Sequence, residues 1–84
     1  MINFLNQTAL VTGGLGNLGL EICNSFLENG IKNLIVIDIN DKNIDKLKTL
    51  TNSKLDQEVF FIKTDLTDLA RSRIALTDLL ASIQ

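Results

Sequence analysis

Three short apolar runs, Thr8–Thr12, Asn33–Asp38 and Glu58–Lys63, punctuate this chain, and between them the apolar residues change period. Runs of this length, rich in Val, Ile, Leu and Phe, suit strands of a parallel sheet covered on both faces. After the first run Leu18, Ile22 and Phe26 recur every four positions with Cys23 and Leu27 beside them, which predicts a helix with one apolar face. Gly30 then supplies the left-handed residue that commonly ends such a helix. After the second run either Asn40 or Asp41 is placed to cap a helix whose inner face is Ile44, Leu47 and Leu50. Asp41 and Asp45 lie early in it and Lys46, Lys48 and Lys54 late, the charge order that a helix dipole favours. After the third run Thr67 or Asp68 caps a helix carrying Leu76, Leu79, Leu80 and Ile83. Strands separated by helices run parallel, because each crossover returns the chain to the same end of the sheet. The predicted fold class is α/β: a three-layer β-α-β-α-β-α arrangement, one half of a doubly wound parallel sheet.

Size and charge narrow the function classes. Eighty-four residues make one small domain with a modest core, and with no proline and no low-complexity stretch they contain no visible linker. The whole of 1–84 is therefore read as one unit. A net charge of -2 offers no basic stripe for nucleic acid or an anionic membrane. With no histidine and a single cysteine, no zinc or copper site is expected. Cys23 cannot form an internal disulfide and sits at helical spacing from apolar neighbours, so a buried, unreactive thiol in a reducing compartment is expected. Met1 to Leu10 lacks the charged start and apolar core of a signal peptide, and the apolar runs are far too short to span a bilayer. A cytoplasmic location follows as the expectation.

The turn between the first strand and first helix carries the chemistry. It reads Thr12-Gly13-Gly14-Leu15-Gly16-Asn17-Leu18-Gly19, in which Gly14, Gly16 and Gly19 fit the G-x-G-x-x-G dinucleotide fingerprint. In that Rossmann-like setting the first glycine allows the tight turn, the second lets backbone approach a pyrophosphate, and the third lets helix and strand pack closely. Free amides and the positive end of the helix then hold the anion. The plain alternative is a turn that merely needs glycine. What favours the nucleotide is context: a strand precedes the turn, a helix follows it, and an acid, Asp38, closes the second strand at the distance the fingerprint requires.

Asp38 would accept hydrogen bonds from the ribose hydroxyls of the adenosine; the other reading is a solvated strand-end aspartate. A carboxylate there disfavours NADP, since two unit charges about 4 Å apart at an effective dielectric near 20 repel by roughly 4 kcal/mol. No arginine follows Asp38 to offset this, so NAD is the expected cofactor. Asp65, closing the third strand, lies on the same edge of the sheet, where it could accept from the adenine amino group with Leu66 behind the ring, or simply serve a turn or helix cap. Asn17 either donates to phosphate or occupies the turn, since asparagine tolerates left-handed backbone. The lysines of the second helix are read as a solvated face.

Together, Ala9-Leu-Val-Thr-Gly-Gly14, the glycine turn, Gly19-Leu-Glu-Ile-Cys23, Val36-Ile-Asp38 and Lys63-Thr-Asp-Leu66 resemble the short-chain dehydrogenase/reductase family, in the manner of insect alcohol dehydrogenases and the hydroxyprostaglandin dehydrogenase-like group. The resemblance covers the whole chain. It implies that Gly13, Gly14, Leu15, Gly16, Leu18 and Gly19 form the cofactor turn, that Asp38 is the NAD-selecting acid, and that Asp65 and Leu66 contact adenine. One departure is local: the family's Thr-Gly-x-x-x-Gly-x-Gly would place a glycine where Asn17 stands. The spacing present, Thr-Gly-x-x-Gly-x-x-Gly, resembles the extended branch that includes sugar-nucleotide epimerases, and the turn of polyketide ketoreductases.

A second departure is larger. The family's Asn-Ala-Gly segment, catalytic serine and Tyr-x-x-x-Lys pair are absent, and the chain has no tyrosine. No residue here is given a catalytic role. The expected function is the NAD-binding portion of a dehydrogenase that oxidises a secondary alcohol or reduces a ketone, ending before the catalytic half. The alternatives are a non-catalytic nucleotide-binding module, or part of a sugar-nucleotide epimerase or dehydratase. With no further strand beside it, the first strand is expected to be an open apolar edge, so that the chain self-associates there, is marginally folded, or is a truncated product; a monodisperse, cooperatively melting monomer would count against the first two.

Overall fold

The computed structural model describes residues 4–13, 16–65 and 67–83. The elements run β1 (Thr8–Thr12), α1 (Asn17–Glu28), β2 (Asn33–Asp38), α2 (Ile44–Thr49), a single 3₁₀ turn (Ser53–Leu55), β3 (Glu58–Lys63) and α3 (Leu69–Ile83). The three strands form one parallel sheet in the order β1-β2-β3. This is the Rossmann-like α/β half that the sequence predicts, and all three strands fall where the apolar runs placed them.

Central β2 explains the continuity of its apolar run. Leu34, Ile35, Val36 and Ile37 are each at most 3% exposed, which needs cover on both faces of the strand. Leu34 and Val36 point to one face, where Val11 of β1 and Ala9, Val59 and Phe61 on the flanking strands join Cys23 and Leu27 of α1 and Leu47 of α2. Burying each large aliphatic side chain here contributes about 1.5–3 kcal/mol. Residues alternate along a strand, so Leu10 faces the other way on the edge strand and is 47% exposed. Among the described residues no strand pairs with the outer side of β1.

Helix α1 ends in a Schellman arrangement: the Gly30 N–H donates to the Leu27 carbonyl at 3.2 Å and the Ile31 N–H to the Phe26 carbonyl at 3.0 Å, with Gly30 at φ +88°. Its inward face differs from the stripe read from the sequence. Cys23 and Leu27 are buried and Leu20 and Phe26 partly so, whereas Leu18 is 71% and Ile22 42% exposed. The sheet meets the 20-23-27 side of the helix, one position round from the Leu18-Ile22-Phe26 row. Phe4 stacks on Phe26 with ring centroids 5.1 Å apart, pinning the segment before β1 to α1.

Helix α2 begins later than the Asn40 or Asp41 cap predicts. Its N-cap is Asn43, in left-handed backbone at φ +69°. Asn40 instead accepts the Lys42 N–H on its side chain at 2.7 Å, and the Asp41 carbonyl accepts the Ile44 N–H at 3.4 Å. Both residues serve the turn that leaves β2, which is the competing role of Asn and Asp near helix starts. Of the predicted inner face, Leu47 is fully buried, while Leu50 has passed the last turn and is 43% exposed. Asp68 does cap α3, accepting the Arg71 N–H on its carboxylate at 3.2 Å. Leu76, Leu79 and Ile83 are half-buried along that helix, and Leu80 is exposed.

One buried polar side chain ties the amino edge of the sheet together. The Gln57 amide nitrogen donates to the Leu27 carbonyl at 2.9 Å and the Ile31 carbonyl at 2.8 Å, and its oxygen accepts the Asn52 N–H at 2.8 Å. These bonds join the end of α1, the start of β3 and the loop between α2 and β3. Replacement by an isosteric apolar group strands three backbone partners. Gln57→Leu is expected to destabilise by about 2–3 kcal/mol and lower the melting temperature by about 10 °C or more. A change under about 2 °C in a thermal melt would show that the clamp is dispensable.

Candidate functional site

At the carboxyl edge of the sheet the backbone ladder runs on past the strand ends. The Gly13 N–H donates to the Ile37 carbonyl at 2.7 Å, and the Thr64 N–H to the Asp38 carbonyl at 3.0 Å. The chains leaving β1 and β3 are thereby drawn against the end of β2. Gly13 sits at φ +65°, a backbone region that strains any residue with a side chain, so its glycine is required locally.

Gly16 is glycine for another reason. Its backbone is extended, at φ -76° and ψ 173°, and it caps α1 with its carbonyl accepting the Leu20 N–H at 2.8 Å. A Cβ built there would meet only the Gly13 carbonyl oxygen, at an ordinary 3.9 Å. The protein's own packing therefore does not demand a glycine, and the bare backbone leaves space for something outside the chain to approach. The helix beginning there has no side-chain cap and no acid in its first turn. Helical geometry leaves the amides of Asn17, Leu18 and Gly19 outside the intrahelical ladder, at the positive end of the dipole. That combination suits an anion. Exposed Leu18 lies in this first turn, so its apolar side chain faces the site end of the helix rather than the core.

Asp38 ends β2 half-buried, with a carboxylate oxygen accepting the Asn40 N–H at 3.2 Å. Asp65 is exposed beyond β3, and its carboxylate accepts the Thr67 N–H at 2.9 Å. That backbone bond, with a further one from the Thr67 side chain, holds its pKa below the usual aspartate value. Gly13, Asp38 and Asp65 share a small cavity of about 160 Å³ with Ile37, Ile39 and Thr64. This is below the roughly 300–1,000 Å³ of a drug-sized site, and suits one end of a large ligand rather than the whole of it. A roomier hollow of about 450 Å³ lies against α3, but Ala70, Arg73, Ile74, Thr77 and Asp78 all line it from that single helix, and no strand end contributes to it.

Of the residues singled out from sequence, the structure thus groups Gly13, Asp38 and Asp65 around one cavity, with Gly16, Asn17, Leu18 and Gly19 at the adjoining helix start. Gly14, Leu15 and Leu66 lie outside the described residues. Cys23 is fully buried, and burial pushes its thiol pKa up, as expected of a core cysteine. Among the described residues no three His, Cys, Asp or Glu side chains gather as a metal would need. Sequence reasoning passed over Ile39 and Thr64. The available signal was the parallel register: Asp38 pairs with Lys63, so the next residue of each chain, 39 and 64, leaves the sheet at the same level.

The Asp65 carboxylate is stabilised in its charged form, so its folded-state pKa lies below the unfolded one. Its contribution to stability is complete above the unfolded value near 3.9 and disappears as pH falls through the lower, folded value. A carboxylate NMR titration should give Asp65 a midpoint below that of an unstructured aspartate. In Thr67→Ala the midpoint should move only part of the way back, because the backbone donor stays. An unshifted wild-type midpoint would contradict the turn geometry.

The sequence model of the short chain dehydrogenase family matches residues 7–83. Alcohol dehydrogenase 1 of Ceratitis cosyra is 30% identical over 78 residues, which are 93% of this chain and 30% of that protein. The acetoacetyl-CoA reductase of Acinetobacter sp. (strain RA3849) is 29% identical over 76 residues, 90% of this chain and 31% of that one. The chain spans just under a third of the length of these curated relatives.

Proposed function

The chain belongs to the short chain dehydrogenase family, and from that premise we propose that it binds NAD through the carboxyl edge of its sheet, as the cofactor portion of an enzyme interconverting a secondary alcohol and a ketone. The observation that carries the proposal is the shared cavity in which Gly13, Asp38 and Asp65 meet at the ends of three parallel strands. Ligands of open α/β sheets bind at this edge. Both relatives, an alcohol dehydrogenase and an acetoacetyl-CoA reductase, are oxidoreductases by name.

In this reading the glycine backbone at Gly13 and Gly16 lies against the pyrophosphate. The amides of Asn17, Leu18 and Gly19 and the uncapped end of α1 hold its charge. The Asp38 carboxylate accepts the ribose hydroxyls, Asp65 accepts the adenine amino group, and Ile39 and Leu66 border the ring. When bound, the cofactor supplies the hydride-transfer chemistry. The chain holds no tyrosine to move a proton at a carbonyl. Binding is therefore the activity assigned to these 84 residues. A cytoplasmic setting fits this role, and no helix among the described residues is long and apolar enough to cross a membrane.

Asp38 makes the proposal testable. By titration calorimetry the chain should bind NAD at least about tenfold more tightly than NADP, a floor set well under the unscreened repulsion of about 4 kcal/mol. Asp38→Asn should weaken NAD about tenfold, as the loss of a charged acceptor does, and narrow the preference. Secondary alcohols should give no turnover. Binding of neither dinucleotide, equal affinity for both, or hydride transfer by the purified chain would each contradict part of the reading.

A further inference from the structure

We propose that Ser72 is a positioning residue for the adenine end of the site: its hydroxyl ties α3 to the Thr64–Asp65 segment and so holds Asp65 where it can discriminate between purine bases. The inference rests on the reading of Asp65 as the contact for the adenine amino group.

Ser72 lies in the first turn of α3 and is buried, at 9% exposure. A serine inside a helix ordinarily returns its hydroxyl to the carbonyl four residues back, which here belongs to Asp68. That carbonyl takes the Ser72 backbone N–H in the ordinary helical bond, at 3.1 Å. The Ser72 hydroxyl reaches out of the helix and donates to the Asp65 carbonyl at 3.3 Å. Its oxygen also lies 3.3 Å from the hydroxyl of Thr64, which is itself buried.

A hydroxyl has one proton to give. With the Ser72 proton committed to Asp65, the bond between the two hydroxyls runs from Thr64 to Ser72. The direction of the whole chain is thereby set: Thr64 donates to Ser72, and Ser72 donates to Asp65. The Thr64 N–H adds the link to the Asp38 carbonyl, so both candidate ligand-binding acids are connected through backbone to one helical side chain.

The cap of α3 does not need this serine, because the Asp68 carboxylate already receives the Arg71 N–H. Nor does the position call for a hydroxyl on packing grounds, since a buried helical site is more readily filled by alanine or another apolar residue. What the hydroxyl adds is a fixed relation between α3 and the peptide that carries Asp65. The Asp68 N–H also donates to the Asp65 carbonyl, at 2.9 Å, so Ser72 is the second of two anchors. Both hydroxyl contacts are longer than the usual 2.7–2.8 Å, which points to a modest effect.

The test compares AMP with IMP, which lacks the exocyclic amino group. Any loss of folded protein scales both affinities alike, so their ratio reports the position of Asp65 and not the stability of the chain. Wild type should prefer AMP about tenfold, the worth of one hydrogen bond to a charged acceptor. Ser72→Ala should reduce that preference to about threefold or less, and Ser72→Thr should keep it. Ser72→Cys, close in size and a weak donor, should fall between and serves if the alanine variant does not fold. A full wild-type ratio in Ser72→Ala or Ser72→Cys would overturn the role of Ser72 while leaving the reading of Asp65 intact. Wild type binding AMP without preference would overturn the reading of Asp65, and this inference with it.

Discussion

The site exists because β2 is hydrogen-bonded along both sides. Both of its faces are covered as well, and Leu34 to Ile37 supply the apolar residues that such burial needs. The same placement brings the ends of β1 and β3 level with Asp38. Two further backbone bonds, Gly13 to Ile37 and Thr64 to Asp38, prolong the pairing beyond the last strand residues. Gly13 at the end of β1 and the Thr64–Asp65 segment after β3 are thereby held against the end of β2, and they border one cavity. At the opposite edge Gln57 does comparable work with a single side chain, fastening α1 to the start of β3.

Charge is arranged to match. The helix that opens beside the glycine turn has no side-chain cap, and no acid lies in its first turn to offset its positive end. The acids stand across the edge, at Asp38 and Asp65. An elongated ligand with an anionic middle and a hydroxyl- and amino-bearing end meets donors at the first place and acceptors at the second. The pair of hydroxyls behind Asp65 then ties α3 to the site, although none of that helix's described side chains lines the cavity.

The strands were legible because each is short, apolar and bounded by residues that cannot continue it. Gly13 and Asp38 were legible for a related reason: a positive φ and a charge at a strand end both leave a mark on residue type. The helices were less so. Leu18 and Ile22 belong to a regular apolar row, yet the sheet meets the neighbouring row of Leu20, Cys23 and Leu27. Which of two adjacent rows turns inward is decided by tertiary packing, not by periodicity. Asn40 and Asp41 carry the chemistry of a cap, but the Asn40 side chain serves the turn leaving β2, and the Asp41 carboxylate pairs with Lys63 while its carbonyl accepts within that turn. Asn43, in left-handed backbone, took the cap position without a side-chain capping bond to the helix. Thr64 and Ser72 were invisible because a hydroxyl gives no pattern until a fold brings two together.

The central claim is that ligand binding belongs to the carboxyl edge of the sheet. Mapping the backbone amide NMR shifts of the chain during addition of NAD tests it most directly. The account predicts that Gly13, Gly16, Asn17, Asp38, Thr64 and Asp65 move together and saturate at one concentration, while Lys32, Asp56 and Gln57 at the amino edge stay still. Shifts centred on the amino edge, or spread evenly with no saturation, would contradict it.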